Sequence, residues 1–275
     1  MAEPPRARAR LPEARPADGD AVTSWNATER FSDRADAYVR ARPTYPDAVV
    51  THLEQADALS AGATVVDLGV GTGLSAEPFL RAGYAVIGVE PNDAMRESGD
   101  RFLAAWPRYR SAKGTAEDTG LPAHCAQLAI AGQAFHWFDP PRARAEALRI
   151  LAPGGWAALM WNDRVVTGDA FAEGYERLCH RFGRDYDRIR TRHVDPQALA
   201  EFFGRVPALA EFAHVRRLDF ETMAALAESA SYLPAPGSEM HAPMLAALRL
   251  LFDASSRDGM IALRYRLRVH YARLA

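Results

Sequence analysis

The chain has 275 residues, 48% of them hydrophobic and 25% charged, with a net charge of −2. That balance suits one α/β domain with an elaboration, or two small domains. Acids interleaved among the arginines leave no bulk field for nucleic acid, so no nucleic-acid partner is expected. No apolar run approaches the ~20 residues that cross a bilayer, and the N-terminus lacks the apolar core of a signal peptide, so no membrane partner is expected. The two cysteines, Cys125 and Cys179, lie far apart in sequence and point to a reduced, cytoplasmic setting rather than a disulfide scaffold.

Residues 1–24 are rich in Pro, Arg and Ala without apolar periodicity, and read as a mobile leader. Phe31, Ala35 and Tyr38 recur at helical spacing; Pro43 stops that helix and Pro46 opens another, from Asp47 to about Gln55. Thr64 to Leu68 is a β-branched apolar run and predicts a buried strand. Three glycines follow it at alternate positions, Gly69, Gly71 and Gly73, and then a helix from Leu74 to Arg81. Strand, glycine turn and helix together place backbone N–H groups at the carboxyl edge of a sheet, where open α/β sheets bind ligands. A dinucleotide site would want G-x-G-x-x-G, but here Leu74 stands where the last glycine should be. Asp67, in the strand just before the turn, repels phosphate and suits a cationic ligand. The next strand, Tyr84 to Val89, ends in Glu90, whose carboxylate can accept from both hydroxyls of a ribose.

Asn92 or Asp93 can cap a helix running to about Trp106. Tyr109 to Lys113 is a short third strand, followed by the polar loop Gly114 to Pro122. Gln127 to Asp139 is the fourth strand and its exit. Pro140 and Pro141 start a helix to Ile150, which the turn Leu151-Ala-Pro153-Gly154-Gly155 ends before a fifth strand, Trp156 to Trp161. Helices are then expected at Asp169–Arg184, Asp195–Phe203, Glu221–Ser231 and Met240–Phe252, and a strand at 213–220. Ile261 to Tyr271 alternates, with Ile261, Leu263, Tyr265, Leu267, Val269 and Tyr271 on one face of a last strand.

The ordered set Asp67-x-Gly69-x-Gly71-x-Gly73, Glu90, the Gly114–Pro122 loop and the Leu-x-Pro-Gly-Gly turn resembles class I S-adenosylmethionine (SAM) methyltransferases over about Phe31 to Arg164. The Arg42-Pro43 pair and the aromatic helix before it resemble the relatives of trans-aconitate methyltransferase. The resemblance implies an α/β, Rossmann-like fold with a mostly parallel seven-stranded sheet, an antiparallel last strand and a helical cap. The expected divisions are the leader 1–24, a cofactor-binding core 25–164, a cap 165–260 and a closing strand 261–275. SAM is the implied cofactor. Its expected contacts are Arg42 on a carboxylate (the cofactor's or a substrate's), Asp67 and the three glycines on the amino acid end, Glu90 and Pro91 on the ribose, Thr115, Ala116 and Glu117 on the adenine, and Gln133. Thr115 stands where the family often has Asp; its hydroxyl can accept from the adenine amino group.

Methyl transfer is an in-line displacement, so the protein mainly aligns the acceptor in an apolar, aromatic-walled site. Trp137, Trp161 and Asn162 are the expected substrate contacts. His136 is the candidate catalytic base for a hydroxyl acceptor; a carboxylate acceptor needs none, and a structural histidine beside Trp137 is the alternative. Histidine pairs at helical spacing are absent, and no metal is expected. The resulting expectation is methyl transfer to an O, C or N atom of a small molecule. The rivals are a methyltransferase of RNA or protein, which would want a basic stripe, and a non-methylating protein on the SAM fold.

Overall fold

The computed structural model describes residues 42–187 and 195–274. The expected leader and the Phe31–Tyr38 helix lie outside the described residues. In chain order the elements are α1 (Ala48–Gln55), β1 (Thr64–Leu68), α2 (Glu77–Arg81), β2 (Ala85–Val89), α3 (Asp93–Phe102), β3 (Tyr109–Ala112), β4 (Ala126–Gly132), a single 3-10 turn (Phe135–Trp137) and α4 (Pro140–Ile150). They continue with β5 (Leu151–Arg164), α5 (Ala170–Phe182), α6 (Pro196–Phe203), β6 (Ala208–Leu218), α7 (Phe220–Glu228), α8 (His241–Ser255) and β7 (Ile261–Arg273).

The seven strands form one sheet in the order β3-β2-β1-β4-β5-β7-β6. The first five are parallel, and β7 runs antiparallel to both β5 and β6. This is the mixed α/β sheet that the sequence predicts. β1 and β2 are buried along nearly their whole length, because helices cover both faces of a parallel sheet. One face carries Val65, Ile130, Met160 and Leu267 under α1 and α2. The opposite face carries Val66, Ile87, Leu159 and Trp161 under α4 and α6. A third core, with Phe171, Met223, Leu248 and Leu263, lies within the cap and reaches the start of β7.

Several boundaries differ from expectation for local reasons. The helix after the glycine turn begins at Glu77 rather than Leu74, since the turn itself consumes residues through Ala76. β5 is longer at both ends: Leu151 already pairs with Ala126, and Pro153, Gly154 and Gly155 sit in a register irregularity before Trp156 pairs with Leu128. β6 starts at Ala208 rather than Ala213 and faces β7 along its entire length. The alternation of β7 holds from Ile261 to Val269 and then fails, because Ala272 rather than Tyr271 is buried.

Candidate functional site

Strand order reverses between β1 and β4, which makes their carboxyl ends the switch point of the sheet. A pocket of about 230 Å³ opens there. Its floor is the glycine turn. Gly69 and Gly71 both line it, with φ of +69° and +56°, a left-handed backbone that L side chains rarely adopt. The turn is tied to β2, since Gly69 and Val70 donate to the Val89 carbonyl at 2.9 and 3.1 Å. Helix α3 approaches the turn at Gly99, where a Cβ would come within 2.9 Å of the Gly71 carbonyl oxygen. Gly73 has another task. It stands clear of the pocket, and a Cβ there would meet Leu103 at 2.6 Å.

Glu90 projects from the end of β2 and is buried. Its Oε2 accepts from the Gly71 N–H at 2.9 Å and its Oε1 from the Asn92 N–H at 3.0 Å. Each oxygen can take a second donor, so the carboxylate both fixes the turn and can hold a diol. Burial raises its pKa, against the pull of the two backbone donors and Arg96. Asp67 lies beneath the turn, with no exposed surface and outside the pocket lining. Ser75 donates to its Oδ2 at 2.6 Å, while Oδ1 is buried without a partner. Burial lifts its pKa to about 7, opposed by the Ser75 bond and helped by Glu90.

The Thr115–Glu117 loop forms one wall, with Pro91, Asn92 and Met95 beside Glu90. The Thr115 Oγ1 accepts from the backbone N–H groups of Glu117 and Asp118 at 3.3 and 3.2 Å. Both its lone pairs are thus engaged, and the hydroxyl offers a ligand a donor rather than the expected acceptor. The loop is anchored from α4. Glu146 accepts from the Thr119 N–H at 2.8 Å and pairs with Arg149 at 2.7 Å, which holds its pKa down to about 2. Glu117 accepts from the Asp139 N–H at 2.8 Å, joining the loop to the exit of β4.

The remaining wall is that exit: Gly132, Gln133, Ala134, Trp137 and Phe138. Gln133 has a φ of +58°, donates its N–H to the Met160 carbonyl at 2.9 Å, and donates Nε2 to the Asn162 carbonyl at 3.2 Å. The structure therefore brings Gly69, Gly71, Glu90, Pro91, Thr115, Ala116, Glu117, Gln133 and Trp137 together at one pocket. Met95, Asn92 and Gly132 join them unforeseen. Asn92 had the signal of its place two residues after Glu90; Met95 lies one helical turn further on.

Besides Asp67 beneath the turn and Gly73 clear of it, four expected site residues lie elsewhere. Trp161 is 1% exposed, in the core beside Phe135 and His270. Asn162 is buried behind Gln133, where its Oδ1 and the His214 Nε2 are 2.7 Å apart. Arg42 is turned to the cap, its Nε donating to the Ser229 Oγ at 3.2 Å. His136 is exposed on the 3-10 turn, its ring tilted against Trp137 at 4.9 Å, outside the pocket lining.

Among the described residues, the lining includes Glu90 and Glu117 and no Lys, Arg or His. A phosphate would find no cation among them. A ribose would find the Glu90 carboxylate, and a cationic group would find the field of Glu90 and of Asp67 beneath the turn. SAM fits this set of groups. Among the described residues no His, Cys, Asp and Glu group could hold a metal ion.

Comparison with known proteins agrees. Residues 66–159 match the family model described as a methyltransferase domain. An uncharacterized methyltransferase of Mycobacterium tuberculosis is 35% identical over 167 residues, 61% of this chain and 64% of that protein. One of Schizosaccharomyces pombe is 32% identical over 134 residues, 48% of this chain and 52% of that protein. The chain thus matches less than two thirds of the length of these relatives. A solved structure described as a type II methyltransferase, from Anaeromyxobacter dehalogenans, superposes with a TM-score of 0.62 at 24% identity, covering 85% of this chain and 98% of its own. The match of residues 66–159 to a methyltransferase domain and the Rossmann-like fold together imply SAM as the cofactor.

Proposed function

We propose that this chain moves a methyl group from SAM to an O, C or N atom of a small molecule. The observation that carries the reading is the pocket's set of groups: a glycine turn without side chains, a buried carboxylate with spare acceptor capacity, and, among the described residues, no basic residue in the lining. When bound, SAM supplies an activated methyl carbon; the acceptor's electron pair forms the new bond while the carbon–sulfur pair returns to sulfur as a neutral thioether. A proton on the acceptor atom leaves to solvent or to a neighbouring base.

This chain's residues hold and align. Glu90 takes the ribose hydroxyls, and the Thr115–Glu117 loop with Met95 encloses the base. Gln133, Trp137 and Phe138 shape the side from which the acceptor approaches. A small acceptor is favoured because the same sheet face passes from Gln133 beneath the cap helices α5, α7 and α8, a setting for a compact molecule rather than a polymer. The cytoplasmic setting expected from two unpaired cysteines belongs to the same proposal. No described helix is long and apolar enough to cross a membrane.

The test is a melting experiment with SAM, S-adenosylhomocysteine and NAD. The first two should raise the melting temperature through mass action, and NAD should not. Equal stabilisation by NAD would overturn the reading.

A further inference from the structure

β6 is the last strand of the sheet, so β7 pairs with only one of its two edges. It runs from Ala208 to Leu218 in unbroken register with β7. Among the described residues, no backbone–backbone bond reaches it from any element but β7. Edge strands are commonly blunted by shortness, a Pro or a bulge. β6 has 11 residues, no Pro and no shift of register. Leu209, Glu211, Ala213, Val215 and Arg217 alternate along it, share one face and are all exposed, Leu209 to 53% and Val215 to 58%.

The charges on that face are unevenly matched. On β7, Arg264 and Arg268 pair with Asp169 and Asp163. Glu211 is 3.8 Å from Arg266, a loose contact that leaves its carboxylate room for a second cation. Arg217 stands opposite Ala262, with no acid facing it from β7. Glu211 and Arg217 are separated by about 20 Å along one strand and cannot meet each other.

A second copy of the strand, laid antiparallel along the free edge, supplies both missing partners. Two-fold symmetry makes the contacts reciprocal: if one residue faces another across the edge, the second faces the first. Centred on His214, the pairing sets Glu211 opposite Arg217 of the second copy, and Arg217 opposite Glu211 of the second copy. Between these two pairs, Ala213 and Val215 face each other in both directions. Moving the centre to Ala213 sets Glu211 against Val215. Moving it to Val215 sets Glu211 against Asp219, a like charge. Opposite charges facing each other stabilise antiparallel strands and like charges destabilise them.

We propose that the free edge of β6 is a homodimer interface, in which two copies pair antiparallel about His214 and join their sheets through reciprocal Glu211–Arg217 ion pairs. β5 and β7 stand between this edge and the β4 exit that walls the pocket, so the proposal does not depend on the methyltransferase reading.

Sedimentation velocity of the full chain across a range of concentrations tests it, with a melting curve for each variant. Wild type should dimerise reversibly. Glu211→Arg or Arg217→Glu sets like charges against each other twice in a homodimer, and each should weaken it roughly tenfold or more. Mixed in equal amounts, the two variants restore both opposite-charge pairs, and a heterodimer of near wild-type strength should form. The double variant, Glu211→Arg with Arg217→Glu, should dimerise as wild type does. Should Glu211→Arg fail to fold through loss of its Arg266 contact, Arg217→Glu decides alone, and an unchanged dissociation constant overturns the proposal. A wild type that stays monomeric at every concentration overturns it, whatever covers the edge. A dimer that neither variant weakens, or weakened variants that do not recover on mixing, overturns it as well.

Discussion

The pocket at the ends of β1, β2 and β4 and the cluster beneath the cap are built in opposite ways. The pocket is backbone work: glycines in left-handed conformations, N–H groups gathered by Glu90, a loop pinned by Glu146. The cap cluster is side-chain work, with Arg164, Glu176, Tyr186 and Tyr265 drawn from distant elements. The first is suited to a ligand of fixed shape; the second is a buried charge network that ties β5 to α5. The two regions should therefore fail differently when altered.

The largest expected effect lies in the cap cluster. Arg164→Met strands the Glu176 carboxylate, which is 12% exposed, and should destabilise the fold by about 3–5 kcal/mol. Chemical denaturation measures it. The double variant Arg164→Met, Glu176→Met should recover much of the loss; no recovery would mean that the pair is not the source. At the pocket, Glu90→Ala should weaken SAM by roughly 1.5–3 kcal/mol with a smaller cost in stability. A dissociation constant within twofold of wild type would remove Glu90 from the ribose site.

A third effect separates the regions by pH. The folded pKa of Asp67 is raised to about 7, so the folded protein holds a proton between roughly pH 4 and 7 that the unfolded chain has released. Its contribution is fully present below the unfolded value and is lost as pH rises through about 7, with a slope of up to about 1.4 kcal/mol per pH unit. Asp67→Asn should flatten the stability profile in that window; a profile identical to wild type would contradict it. The smallest effect belongs to His136→Ala. On its exposed turn it should leave stability within about 0.5 kcal/mol, and kcat near wild type once an acceptor is in hand. A fall in kcat of about 10²-fold or more at unchanged SAM affinity would restore the histidine as the base.

The pocket was legible because its determinants are local. Three glycines, one strand-end acid and a Pro-Gly-Gly turn are contiguous signals, and the elements around them fall close to expectation. The exceptions show where tertiary context decides. Trp161 ends a predicted strand, yet β5 runs on to Arg164 and carries the indole into the core. Arg42 reads equally well as a ligand contact, but Ser229, a residue of the cap, takes it. The cap cluster was illegible for the same reason. Tyr265 was placed on an apolar face, correctly, but no spacing reveals that its hydroxyl ends without a partner beside a half-bonded arginine 101 positions earlier in the chain.

The central claim is that the switch-point pocket holds the cofactor. A crystal structure with S-adenosylhomocysteine tests it most directly. The account predicts the ribose hydroxyls within about 3 Å of the Glu90 carboxylate, the adenine between Met95 and the Thr115–Glu117 loop, and the thioether sulfur facing Gln133. Density at another site, or a ribose that leaves Glu90 uncontacted, would contradict it.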